Sequence, residues 1–217
     1  MMARAVMSLL ILMAMSAAAQ AQGVILDDFD DVTAWSAAAS DGVESSADAI
    51  VTDTGRGLRF NFDFQRGSGY AFVSRTLPQT WPDNFEVRLR LRGHLPPNAL
   101  EIKLVDASGD NVWWYREADR HFSGDWEEVR FRRRHVGFAW GPASDQRLST
   151  TARVEIVVVA GSGGSGTIEL DRLTLIPLSV SSAVPPVPIR HDDGRAVTLA
   201  LGYQREFGGL RIDWETG

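Results

Sequence analysis

Across residues 24–178 apolar side chains recur at every second position in short runs, and no stretch keeps a helical spacing through successive turns. Leu58, Phe60, Phe62 and Phe64 alternate with Arg59, Asn61 and Asp63. Phe85, Val87, Leu89 and Leu91 alternate with Glu86, Arg88, Arg90 and Arg92, and Leu100, Ile102 and Leu104 with Glu101 and Lys103. Each run has one face to bury and one to leave wet, the signature of an antiparallel strand. Further strands are predicted over 70–77, 111–116, 126–134, 153–160 and 167–176. Turn-forming residues separate them: Gly67-Ser68-Gly69, Pro96-Pro97-Asn98, Ser108-Gly109-Asp110-Asn111 and the glycine-serine run 161–166. Roughly ten short antiparallel strands with this punctuation predict an all-β fold, a sandwich of the jelly-roll kind. Ile168 and Leu170 stand in one phase and Leu173 and Leu175 in the other, so a bulge is expected near Asp171 and Arg172.

The ends of the chain read differently. Arg4 precedes an apolar run over 5–15, and Ala19-Gln20-Ala21 supplies a small-residue cleavage site, so 1–21 is read as a secretory signal peptide. That run is too short to cross a bilayer, which takes roughly 20 apolar residues, and no later stretch is long enough. Export to the periplasm or the outside is expected, without membrane insertion after cleavage. Residues 22–178 form the predicted domain. The segment 179–195, rich in proline and serine around Pro185-Pro186-Val187-Pro188, is expected to be a linker. Residues 196–217 read as the incomplete start of a second β domain, so the chain is expected to be the front of a longer modular protein or a truncated reading frame.

Composition narrows the chemistry. With 217 residues and 44% hydrophobic content there is room for one or two cored domains. A net charge of −6 disfavours a general grip on nucleic-acid phosphates, and the absence of cysteine removes disulfides, thiolate zinc sites and thiol nucleophiles. Lys103 is the single lysine; all other basic charge is arginine or histidine. The glycine run 161–166 matches a phosphate-binding spacing, but strand-like residues follow where a helix is required. His94, His121, His135 and His191 show no paired metal spacing.

Three markers occur in order: Leu26-Asp27-Asp28-Phe29-Asp30 with Trp35 after it, Gly124-Asp125-Trp126-Glu127-Glu128-Val129, and Ile168-Glu169-Leu170-Asp171-Arg172-Leu173. In this order the chain resembles the galactose-binding-like jelly rolls, especially carbohydrate-binding modules of family eleven, over 24–178. The trailing stretch 205–214 is similar to the start of a discoidin-type domain. The resemblance implies a polysaccharide or oligosaccharide partner, and packing roles for Trp35 and Trp126. It also implies a structural calcium held by Asp28 or Asp30 together with Asp171.

A sugar offers flat apolar faces rimmed by hydroxyls, so a sugar site needs rings and planar polar groups. Trp113, Trp114, Tyr115 and Arg116 supply both. Alternation puts Trp113 and Tyr115 on one face and Trp114 and Arg116 on the other, and one pair must point into the core. If one face binds, Arg116 places Trp114 on it, with Trp140 as a neighbour. Arg130, Arg132, Arg133 and Arg134 form a basic strand that would suit an anionic ligand or a solvated face. Because Arg133 shares a phase with Val129 and Phe131, burial must end near Phe131. The leading expectation is a secreted, non-catalytic carbohydrate-binding module using Trp113, Trp114, Tyr115, Arg116, Trp140 and Arg133. One alternative is a structural or protein-interaction sandwich that positions a downstream domain. Another is a hydrolase, which would need two opposed carboxylates or a nucleophile beside His121 or His135.

Overall fold

The computed structural model describes residues 23–65 and 67–179 with their side chains, and the backbone of Pro188–Arg190, Ala196–Gln204 and Gly209–Glu215. The expected leader, 1–21, and most of the expected linker lie outside the described residues. The chain divides into two compact units, Met1–Ser179 and Val180–Gly217.

The first unit is built from strands β1 (Val24–Asp27), β2 (Ser36–Ala39), β3 (Glu44–Val51), β4 (Arg56–Asp63), β5 (Tyr70–Thr80), β6 (Phe85–His94), β7 (Asn98–Val105), β8 (Val112–Arg120), β9 (Glu127–Arg132), β10 (Gly137–Trp140), β11 (Thr150–Val159) and β12 (Ser165–Pro177). They form two six-stranded antiparallel sheets. The first runs β3-β4-β12-β6-β9, with β1 pairing along the later part of β12; the second runs β10-β8-β7-β11-β5-β2. The fold is therefore the antiparallel β-sandwich that the alternation predicts.

The alternating apolar residues meet between the sheets. Phe60, Phe62 and Phe64 on and after β4 form a ladder with ring centroids 5.7 and 5.1 Å apart. Leu89, Leu91, Leu100, Ile102, Leu104 and Ile156 are fully enclosed around it. Tyr115 of the second sheet stacks on Phe131 of the first at 4.5 Å and 8°, so this ring pair spans the two layers. The bulge falls where the phase slip predicts it, between Leu170 and Arg172, and keeps both Leu170 and Leu173 inside while Asp171 and Arg172 share the outer side. β9 ends at Arg132, directly after buried Phe131, and a 3₁₀ turn over Arg133–His135 carries the chain from the first sheet to the second.

The structure contains strands that alternation does not reveal. β2 and β3 are edge strands built from alanine, serine and acidic residues with little buried on either face, so their apolar signal is weak. Trp35 is buried and stacks on Phe29 at 5.0 Å. Trp126, expected in the core, instead lies half-buried outside the first sheet, with the guanidinium carbons of Arg90 and Arg92 4.5 and 4.7 Å from its ring centroid. It packs against arginine stems and charge, which a core position could not offer.

In the second unit, β13 (Pro188–Arg190), β14 (Ala196–Gln204) and β15 (Gly209–Glu215) form an antiparallel sheet in that order. Part of the expected linker is thus a strand, and it tolerates Pro188 because β13 is an edge.

Candidate functional site: a ring-bearing face on the second sheet

The outer face of the second sheet can be read row by row from its register. One row runs Ser36, Ser74, Glu155, Lys103, Trp114 and Gly137; the next runs Ala38, Phe72, Val157, Glu101 and Arg116. Their chain neighbours Val73, Ile156, Ile102 and Trp113 point inward. A further row brings Val105 and Val112 beside Trp140 at the β10 edge.

Although they face away from the core, Val157, Val105 and Glu101 are only 0%, 1% and 4% exposed. Longer neighbours stand over them and close them off from water. Trp140 and Tyr70 reach solvent, 47% and 43% exposed. Trp114 and Trp140 lie 5.8 Å apart with planes at 86°, forming a corner of two perpendicular rings. Tyr70 and Phe72 stand 6.2 Å apart on β5. Between the two aromatic groups the Lys103 ammonium lies 5.2 Å from the Trp140 centroid and 5.6 Å from that of Tyr70.

The polar groups are arranged in pairs. Glu101 is flanked by Arg116 at 3.0 Å and by Lys103 at 3.4 Å, which compensates its burial on both sides. Arg116 also lies over Trp114, its guanidinium carbon 5.7 Å from the ring centroid, and Arg153 pairs with Glu155 at 2.9 Å. Trp140 is fixed by the loop that follows it. Gly141, at φ +138°, passes so close to the β7–β8 hairpin that a Cβ would lie 2.7 Å from the Asp110 carbonyl oxygen. Asn111 in that hairpin accepts the Ala143 N–H at 2.8 Å and donates to Asp106 at 2.7 Å.

Of the residues named from sequence, Trp114, Arg116 and Trp140 share this face. Trp113 and Tyr115 do not reach it. Trp113 is buried, its indole N–H donating to the Gln146 carbonyl at 2.9 Å and its ring 5.5 Å from Phe138. Tyr115 turns into the sandwich, and its hydroxyl donates to Glu117; burial first, then that carboxylate, push the phenol's pKa well above the ordinary value. Arg133 sits in the 3₁₀ turn between the sheets and donates to the Val136 carbonyl at 3.0 Å. Both corrections follow from side-chain alternation: on β8 only every second residue can face out. Tyr70, Phe72, Glu101 and Lys103 were missed as a group. The signal existed, since Ala71 and Val73 are the small inward partners of Tyr70 and Phe72, and Lys103 interrupts Ile102 and Leu104.

The residues expected to hold calcium do not form one donor set. The Asp171 carboxylate accepts the Thr54 hydroxyl at 2.6 and 2.7 Å and is ion-paired with Arg90, whose other bonds, at 2.9 and 3.0 Å, go to Asp53. Asp30 accepts the Arg56 N–H at 3.1 Å, and Asp28 accepts the Asp30 N–H at 3.2 Å. A guanidinium thus supplies the positive charge at Asp171, and these side chains as arranged do not fit the ion; among the described residues no group of three or more His, Asp or Glu side chains is placed to hold a metal. Chelation by EDTA is therefore expected to leave the melting temperature unchanged in a thermal scan, and a drop of several degrees would restore the calcium reading.

Two stacked antiparallel sheets, one carrying exposed rings on its outer face, define the structural class. Solved structures with this fold include the family 11 carbohydrate-binding module from Clostridium thermocellum in complex with a β-1,3-1,4-mixed-linked tetrasaccharide. It is 17% identical, with a TM-score of 0.57, over 71% of this chain and 95% of that one. The family 11 module of the cellulosomal cellulase Lic26A-Cel5E of Clostridium thermocellum matches at 17% identity and a TM-score of 0.57, over 74% of this chain and 98% of that one. The similarity is one of fold. No protein-family model and no curated protein matches the chain.

Proposed function

We propose that this chain is an exported, non-catalytic carbohydrate-binding module whose ligand lies on the outer face of the second sheet. The reading rests chiefly on the perpendicular Trp114–Trp140 corner at 5.8 Å on the outer face of the second sheet. One ring can stack under a sugar's apolar face while the other walls its edge, and the half-exposed Arg116, fixed by Glu101, stands beside them to meet hydroxyls. The family 11 fold likeness supports the same class of ligand. Export follows from the leader read in the sequence, and the Pro-rich segment would tether the module to further domains of a glycan-active protein, raising local concentration at the substrate.

Calorimetric titration with neutral oligosaccharides, beginning with a mixed-linked β-glucan tetrasaccharide, tests this. Trp140→Ala is expected to weaken binding by about 2 kcal/mol, roughly thirtyfold, with little change in melting temperature because the ring is half in solvent. Trp113→Phe, a core change, should leave affinity unaltered. An absence of binding at millimolar sugar would favour the structural or protein-interaction sandwich instead.

A further inference from the structure

The basic strand that the ring face leaves unused lies on the opposite side of the molecule. Below the Asp171 bulge, the outer positions of β12, β6 and β9 form a grid whose rows are Arg172, Arg90 and Glu128; Thr174, Arg88 and Arg130; and Ile176, Glu86 and Arg132. Arg90 is neutralised by Asp171 and Asp53. Four more arginines share this grid, Arg88, Arg130, Arg132 and Arg172, with the carboxylates of Glu86 and Glu128 between them.

The pairing leaves binding capacity pointing outward. Glu86 is nearly buried, with a side chain 10% exposed, and takes Arg88 Nε at 2.8 Å on one oxygen and Arg132 Nε at 3.0 Å on the other. Burial alone would push its carboxyl up, but these two bonds outweigh that and hold its pKa below the usual glutamate value. Arg88 and Arg132 are held by Glu86 through Nε, whereas Arg130 gives Glu128 both its Nε, at 2.9 Å, and one terminal nitrogen. Arg88, Arg130 and Arg132 have side chains 37%, 57% and 46% exposed. Arg88 also stands directly opposite Arg130 across the strand pair, an arrangement of like charges that Glu86 and Glu128 each offset in part.

We infer that this grid is a second binding site, for a carboxylated polysaccharide. Guanidinium forks match carboxylates in plane and can bond them in pairs. Neighbouring strands lie about 4.8 Å apart and same-face residues roughly 6.8 Å apart along a strand, so the arginines form a two-dimensional array that one polymer chain can cross. With a net charge of −6 over the whole sequence, the surrounding field opposes nucleic acid, which carries a charge every ~1.7 Å. A polymer with about one acid per sugar unit meets a smaller repulsion and the same local attraction. The site stands apart from the ring face, so either can fail without the other.

Affinity electrophoresis of the full chain through gels containing polygalacturonate tests the inference, with dextran gels as the neutral reference. Retardation by polygalacturonate alone is expected, and weakening on raising salt to roughly 0.5 M. The double variant Arg88→Gln/Arg130→Gln should lose affinity about tenfold or more, since a charge-assisted contact is removed at each position. Arg130→Gln/Arg172→Gln, at two exposed positions, repeats the test with less risk to folding. Trp140→Ala should be retarded like the parent. Lack of retardation, retention unchanged in both double variants, or equal binding to duplex DNA or phosphatidylserine vesicles would overturn it.

Discussion

Phe131→Ala is expected to lower the unfolding free energy by about 3–5 kcal/mol, within the range measured for aromatic truncation in packed cores. Phe131 is 1% exposed and carries the stacked contact with Tyr115 at 4.5 Å, so the cavity would open between the two sheets, where neither can relax alone. For a domain of this size the loss corresponds to a fall in melting temperature on the order of 10 °C. Tyr115→Phe separates ring from hydroxyl: it keeps the stack and removes only the bond to Glu117, so a much smaller change, about 1 kcal/mol, is expected. Denaturant unfolding of the two variants checks the pair. If Tyr115→Phe cost as much as Phe131→Ala, the hydroxyl network rather than the ring stack would be holding the layers together.

The second large effect concerns Glu169, in the middle of the first sheet's outer face. Its carboxylate receives Arg59 Nε and Nη2 at 2.9 and 2.7 Å on one oxygen and Arg92 Nε at 2.5 Å on the other. Burial pushes its pKa up, but the bonds from Arg59 and Arg92 outweigh this and leave it below the ordinary glutamate value. A carboxyl depressed in the folded state contributes stability that is fully present above its unfolded pKa and is lost as the pH falls through the folded one. Glu169→Gln should therefore cost about 1–3 kcal/mol at pH 7, moderated because Arg59 and Arg92 keep contact with water. At low pH the parent also loses its carboxylate, so the two stability curves should converge there. Urea midpoints measured from pH 7 down to pH 3 follow this directly. A gap that stayed constant with pH would assign the loss to packing rather than charge.

Much of the architecture was legible because the relevant rule is local. The runs around Phe60, Leu89 and Ile102 name their own inward faces. The slip between Leu170 and Leu173 names its own bulge. The end of β9 after Phe131 followed from the expense of burying Arg133. β2 and β3 were not legible, since edge strands bury little and need no strong apolar period. Trp126 was misplaced because an indole between two guanidiniums and an indole in a core look alike along the chain.

The candidate site divides in the same way. Alternation alone separates Trp114 and Arg116 from Trp113 and Tyr115, because successive Cβ atoms on a strand must point to opposite sides. It cannot say which strands become neighbours. That β10 returns beside β8, bringing Trp140 to Trp114, and that Lys103 reaches both Trp140 and Tyr70, depends on pairings between residues distant in sequence. The meeting of Asp171 with the Arg90 guanidinium is another such outcome, since residues 81 positions apart come together through the β6–β12 register. The order of residues determined a sandwich of two-faced strands and which rings of β8 would share a side. Only the packed sheets decided which rings meet and which charges are left facing water, because strand pairing is settled by burial across the whole core.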